Sequence, residues 1–118
     1  MKIHYYAIVL LMMPATPASA SFYTGNDLYK LCTVERSQST YYQESAHCAG
    51  FIVGVVDTNE LLRSIWKAQP CVPPTVNIRQ VHDAVVAYLK AHPAKRHLDA
   101  ALLVNNAVVE AFECKAPS

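Results

Sequence analysis

Glycine is scarce in this chain, with 3 residues in 118, and that scarcity removes whole classes of chemistry. Gly25, Gly50 and Gly54 cannot build a phosphate-cradling loop, and no G-x-S-x-G setting presents a serine nucleophile. Nor is there an H-E-x-x-H or a C-x-x-C pair. His47, His82, His92 and His97 form no helical ligand pair, and His92 and His97 straddle Pro93 at a spacing that puts no two ligands on one face. Charge of a single sign is missing too: 10 Lys plus Arg stand against 9 Asp plus Glu, scattered rather than blocked. A nucleic-acid or anionic-membrane partner held by a basic surface is therefore not expected. After residue 20 no stretch approaches the roughly 18 uninterrupted apolar residues of a membrane span, and strand-type alternation, low-complexity tracts and internal repeats are absent.

What is present begins with an export signature. Lys2 supplies a short basic start, Ala7 opens an apolar run that extends to Met13, and Ala18, Ser19 and Ala20 form a small-residue cleavage site behind Pro14 and Pro17. Residues 1–20 thus read as a secretory signal peptide, which leaves residues 21–118 as one small exported domain, soluble once the signal is cleaved. A domain of about 98 residues buries roughly 60–65% of the surface its unfolded chain exposes, a lean core that crosslinks would help. Cys32, Cys48, Cys71 and Cys114 are an even set bound for an oxidising compartment, and they read as two structural disulfides. With all four thiols consumed, no cysteine nucleophile remains.

The periodicity is helical throughout. Asn26 is the expected cap of a short first helix ending near Cys32, with Asp27 in its first turn favouring the positive end of the helix dipole. Residues 33–40 are polar and loop-like. A long second helix is expected over about residues 43–67, carrying Phe51, Ile52, Val55, Leu62, Ile65 and Trp66 on its apolar face, with Pro70, Pro73 and Pro74 ending it. The third helix starts after Thr75 or Asn77, presents Ile78, Val81, Val85, Tyr88 and Leu89, and stops before Pro93. A fourth covers about residues 96–112 with Leu98, Leu102, Val109 and Phe112 as its buried edge. The fold class is all-α, a bundle of four to five helices.

That layout constrains the crosslinks. A continuous second helix would hold Cys48 and Cys71 about 30 Å apart at 1.5 Å per residue, whereas bonded cysteines need Cα atoms within about 7 Å. Pairing Cys32 with Cys48 and Cys71 with Cys114 is expected, each bond contributing about 3–4 kcal/mol in the chain-entropy model. Cys32–Cys71 with Cys48–Cys114 stays open as the other arrangement. Gly50 and Gly54 lie one turn apart on the second helix, where each costs about 1 kcal/mol against Ala, so a close helix crossing is expected at that face. Asp57 is expected on the same stripe, accepting from the free amides that start a neighbouring helix.

Two polar loops carry residues suited to a protein partner: residues 33–42, ending in Tyr41 and Tyr42, and residues 91–97, with His92, Pro93, Lys95, Arg96 and His97. The run from Cys48 through Gly50, Gly54 and Asp57, then Cys71-Val72-Pro73, the Tyr88-Leu89 helix end with His92-Pro93, and Ala111-Phe112-Glu113-Cys114 resemble the Rap/Tai family of type VI secretion system amidase immunity proteins. The resemblance covers nearly all of residues 21–118, departing at Glu113, where similar sequences often carry Pro. It implies a small helical, disulfide-bonded periplasmic protein, not an enzyme and without cofactor or metal. It also implies a partner, a peptidoglycan amidase effector, whose cleft the protruding loops of a homodimer plug. Residues 92–97 are the leading contact and Tyr41 and Tyr42 the second. Two other readings fit the sequence: an acid-stress-type chaperone, and a structural adaptor of an envelope complex.

Overall fold

The computed structural model describes residues 21–114, so the expected signal segment lies outside the described residues. Among the described residues there are four α-helices, α1 (Gly25–Cys32), α2 (Tyr41–Ile65), α3 (Ile78–Ala91) and α4 (Ala100–Phe112), with one 3₁₀ turn (Pro93–Lys95) between α3 and α4. There is no strand among the described residues, in keeping with the all-α expectation.

Local chemistry explains most of the boundaries. The cap of α1 is Thr24 rather than Asn26. The Asp27 N–H donates to Thr24 Oγ1 at 3.3 Å, while Thr24 N–H and Oγ1–H both donate to Asp27 Oδ2, at 2.9 and 2.7 Å. These donors, foremost the Thr24 hydroxyl, hold the Asp27 carboxyl below its ordinary value of 3.8. Asn77 and Gln80 build the same reciprocal box at the start of α3, with amide contacts of 2.9 and 3.1 Å. The long helix α2 ends two residues earlier than expected, and the prolines do not end it. Lys67 takes a left-handed φ of 54°, Lys67 N–H donates to Ser64 O and Ala68 N–H donates to Arg63 O, at 3.0 and 2.8 Å, which is a Schellman termination. α4 begins at Ala100, four residues later than expected, because the preceding residues are used elsewhere. Gly25 N–H donates to Leu98 O, Asn26 N–H to Arg96 O and Ala100 N–H to Tyr23 O, at 2.8, 2.7 and 2.9 Å. This clasp satisfies amides at the start of α1 that have no partner within the helix.

The core is built from Leu28, Ile52, Val81, Val85, Tyr88, Leu89, Leu103, Val104 and Val108, with Cys48 and Cys71 beside them. On α3 the expected stripe is buried except for Ile78. On α4 the expected edge is largely out of phase: Ala100, Leu103, Val104, Ala107 and Val108 face inward, Leu98, Leu102 and Val109 are exposed, and of the expected residues Phe112 alone packs against the core. The buried set recurs at three- and four-residue steps, and its small members let α4 approach its neighbours. On α2 Ile52 is buried and Phe51 and Val55 are partly so. The C-terminal part of the expected face lies on the surface, with Leu62 40%, Ile65 62% and Trp66 66% exposed.

Both expected disulfides are present. Cys32–Cys48 ties α1 to α2 with Cα atoms 5.1 Å apart, and Cys71–Cys114 joins the segment before α3 to the end of α4 at 4.7 Å. Their sequence separations of 16 and 43 place the larger chain-entropy contribution on the second bond. An acceptor for free amides exists on α2, but it is Glu60 and not Asp57, which is exposed. Glu60 Oε1 accepts from Cys71 N–H and Val72 N–H at 2.9 and 3.2 Å, fixing the chain that leads into α3.

The glycine expectation is overturned. A Cβ built on Gly50 or Gly54 meets nothing within 4 Å, so no helix crosses there. Both lie on an open groove with Phe51, Val55 and Ala101. Close approach occurs instead at Gly25, where a Cβ would stand 2.9 Å from both Cα and O of Arg96 and would run into Leu103 Cδ1.

Candidate partner-binding surface

The segment from His92 to His97 is a braced turn. Pro93 opens its 3₁₀ turn, Lys95 N–H donates to His92 O at 3.0 Å and Arg96 N–H to Pro93 O at 3.3 Å. The His92 ring packs on Tyr88 at 4.2 Å between centroids, and its Nδ1 lies 2.8 Å from Tyr88 O. Arg96 lays its guanidinium over the Tyr29 ring at 4.2 Å, a cation–π contact, and its buried Nε has no hydrogen-bond partner among the described residues. His92 and Arg96 are half-buried, so their stems hold the turn in place. Pro93, Lys95 and His97 are exposed, and His97 Nδ1 is held 2.9 Å from Ala94 O. The turn therefore offers an ammonium and an imidazole on a rigid base, and a rigid base reduces the entropy lost on binding.

Tyr41 and Tyr42 open α2 as an edge-to-face pair with centroids 5.4 Å apart. Tyr41 is half-buried, whereas Tyr42 is 85% exposed. The backbone of the braced turn meets the start of α1, where Arg96 O accepts from Asn26 N–H, and the tyrosines open α2 beyond the loop of residues 33–40. Gly50, Gly54 and Asp57, singled out above as structural residues, are exposed and take no part in the core.

A third surface was not legible as one. From Gly50 the exposed edge of α2 runs through Gly54 to Leu61 and Ile65, Trp66 at the helix cap is exposed as well, and Phe51, Phe22 and Ala101 extend the groove at its start. Among the described residues no helix is long and apolar enough to cross a membrane, so this face is not a span.

A family model for Rap1a immunity proteins matches residues 24–114, from the cap of α1 to the last cysteine. The chain belongs to the Rap1a immunity protein family. No curated protein matches it, and neither does any solved structure. Membership points to a non-catalytic inhibitor with an immunity function toward a secreted effector, and hence to a surface that binds that cognate effector. The matched span takes in all four cysteines, the braced turn and the tyrosine pair.

Within this Rap1a chain the residues missed by sequence reasoning are those whose role depends on tertiary contact. Tyr29 carries no motif, yet it seats Arg96. Glu60 is one of several acids on α2, and only the position of Cys71 distinguishes it. His82 forms no ligand pair along its helix, yet the fold sets it beside the Cys32–Cys48 bond.

Proposed function

We propose that this chain is a periplasmic immunity protein that binds a peptidoglycan amidase effector of the type VI secretion system and occludes its cleft without chemistry of its own. The match to Rap1a immunity proteins carries the immunity role. The amidase, the secretion system and the compartment rest on the resemblance of the cysteine framework and on the signal-like residues 1–20. The braced turn supports the plugging mode: a three-residue 3₁₀ turn opened by Pro93 and pinned by two ring contacts has little freedom to lose, while Lys95 and His97 face outward. Arg96 and His92 position this contact, and Lys95, His97 and Tyr42 supply its outward groups.

A homodimer belongs to the same reading, and the exposed edge of α2 is its proposed seam. Gly54, Leu61 and Ile65 recur at seven- and four-residue steps, a spacing that lets one helix edge meet its own copy across a two-fold axis. Light scattering tests it. A wild-type mass of two chains that falls to one in Leu61→Glu/Ile65→Glu supports the seam, and a monomeric wild type removes it.

Calorimetric titration of the purified chain into a panel of type VI amidases tests the partner. Saturable binding to one of them, weakened by Lys95→Ala/His97→Ala at unchanged melting temperature, supports the plug. Binding that this pair leaves untouched moves the contact elsewhere on the surface.

A further inference from the structure

Ile78 stands where periodicity placed a core residue, yet it is 52% exposed, and a hollow opens on each side of it. One, of about 320 Å³, is lined by Arg36, Ala49, Arg79, His82 and Asp83. The other, of about 310 Å³, is an apolar groove of Val53, Val56, Val76 and Val81 with Asp57 and Glu60 in its wall. Ala49, Val53 and Asp57 are successive turns of α2, so one stripe of that helix passes from the first hollow into the second. The two hollows carry opposite charge. Arg36 and Arg79 make no hydrogen bond or ion pair among the described residues, and Asp83 beside them lies 3.3 Å from His82 Nδ1, so two guanidinium groups stand against one carboxylate. In the groove Glu60 is engaged by the Cys71 and Val72 amides at 2.9 and 3.2 Å, whereas Asp57 makes no such bond among the described residues.

We propose that this surface docks an extended segment of a protein partner that carries an acidic, an apolar and a basic side chain at alternate positions. Charge complementarity fixes the two outer residues. A carboxylate matches the guanidinium forks of Arg36 and Arg79, and a lysine or arginine lays its apolar stem on Val53, Val56 and Val76 with its charge at Asp57. The middle residue covers Ile78. From Ala49 to Asp57 the eight steps of α2 measure about 12 Å at 1.5 Å per residue, and an extended chain spans that distance in about four residues at roughly 3.3 Å each. Side chains two residues apart on such a chain share a face, so acid, apolar and base fall at the first, third and fifth positions. Exposed ion pairs contribute little affinity, and their value here is the register they impose. The surface lies at the opposite end of α3 from the braced turn, about 21 Å along the 14 residues of that helix. None of Gly54, Leu61 and Ile65 lines either hollow. The docking surface is therefore independent of the plug and of the dimer seam, and it can fail without them.

The probes are two end-capped peptides, Ser-Asp-Ser-Leu-Ser-Lys-Ser and its reverse, which cover both chain directions, with a neutral control that has Asn for Asp and Gln for Lys. Titration into the full oxidised chain is followed by amide NMR shifts. Saturable shifts at Ala49, Asp57, Ile78 and His82 with one of the charged peptides are expected, weakening as salt is raised. Arg79→Glu and Asp57→Lys should each weaken binding by at least about threefold, while Lys90→Glu, at the far end of α3, should bind as the wild type does. Absence of shifts with both charged peptides, equal binding of the neutral control, or equal losses in Lys90→Glu would each overturn the assignment. Broadening of the same amides with chain concentration alone would make a second copy the occupant and overturn it too.

Discussion

Replacing glycine by alanine should have opposite signs at two positions of this molecule, and the contrast tests the packing directly. At Gly25 the added methyl would stand 2.9 Å from Cα and from O of Arg96. Ordinary contacts lie at 3.4–4 Å, so the backbone of residue 96 must retreat by roughly half an ångström. That retreat is resisted, because the same Arg96 carbonyl accepts the Asn26 amide at 2.7 Å and Arg96 is anchored over Tyr29. Overpacking against backbone, with strain on a capping hydrogen bond, should cost about 2–3 kcal/mol. A domain of this size loses about 4–8 °C of melting temperature per kcal/mol, so Gly25→Ala should melt about 10–20 °C lower. At Gly54 nothing lies within 4 Å of the new methyl, and only the helix preference remains. Gly54→Ala should then raise stability by about 0.5–1 kcal/mol. Thermal unfolding followed by circular dichroism at two protein concentrations reads both changes. A Gly25→Ala protein melting within about 2 °C of wild type, or a concentration-independent loss in Gly54→Ala, would refute this account of where the helices approach.

Other residues give equally direct expectations. Glu60→Ala should cost about 1–3 kcal/mol in denaturant unfolding, since it leaves the Cys71 amide beside the core without an acceptor. Asp27 has a folded pKa below 3.8, so its contribution is present above that pH and is lost as pH falls through the lower folded value. Asp27→Ala should therefore lower the melting temperature at pH 7, and the gap to wild type should close below pH 3.8 as the pH falls through the folded value. Lys67→Gly should stabilise by about 1 kcal/mol, because Lys67 holds a left-handed conformation at the end of α2 that glycine adopts freely. Lys95→Ala/His97→Ala should weaken effector binding by at least about 2 kcal/mol, the size of a hot spot, at constant stability.

The helices were legible because their periodicity and capping residues are local. Asn77 before α3, Pro93 after it and the apolar stripe of α3 lie close in sequence to the features they define. The length of α2 excluded a Cys48–Cys71 bond and so left two of the three pairings, of which the structure has Cys32–Cys48 with Cys71–Cys114. Several of the errors come from contact across the chain, while the Thr24 cap of α1 and the Lys67 end of α2 are local features that were misread. Residues 96–99 read as helix until the N-terminal segment claims their carbonyls. The sequence of α4 is apolar on nearly every side, so periodicity could not choose its inner face, and the small residues Ala100 and Ala107 decided it. Lys67 ends α2 where no glycine signals a stop. The open face of Gly50 and Gly54 and the exposed Leu62, Ile65 and Trp66 show the opposite failure: an apolar stripe on a helix does not say whether this chain or another molecule covers it. Within the candidate surface, the exposed turn and Tyr42 could be read from residue type, but the bracing of Arg96 by Tyr29 could not.

The central claim is that this chain inhibits a peptidoglycan amidase by covering its cleft. Release of cleavage products from purified peptidoglycan by a type VI amidase, measured against increasing amounts of the mature oxidised chain, tests it most directly. Inhibition that is complete near one chain per enzyme is the predicted result. Full amidase activity in the presence of excess chain, across the panel of type VI amidases, would contradict it.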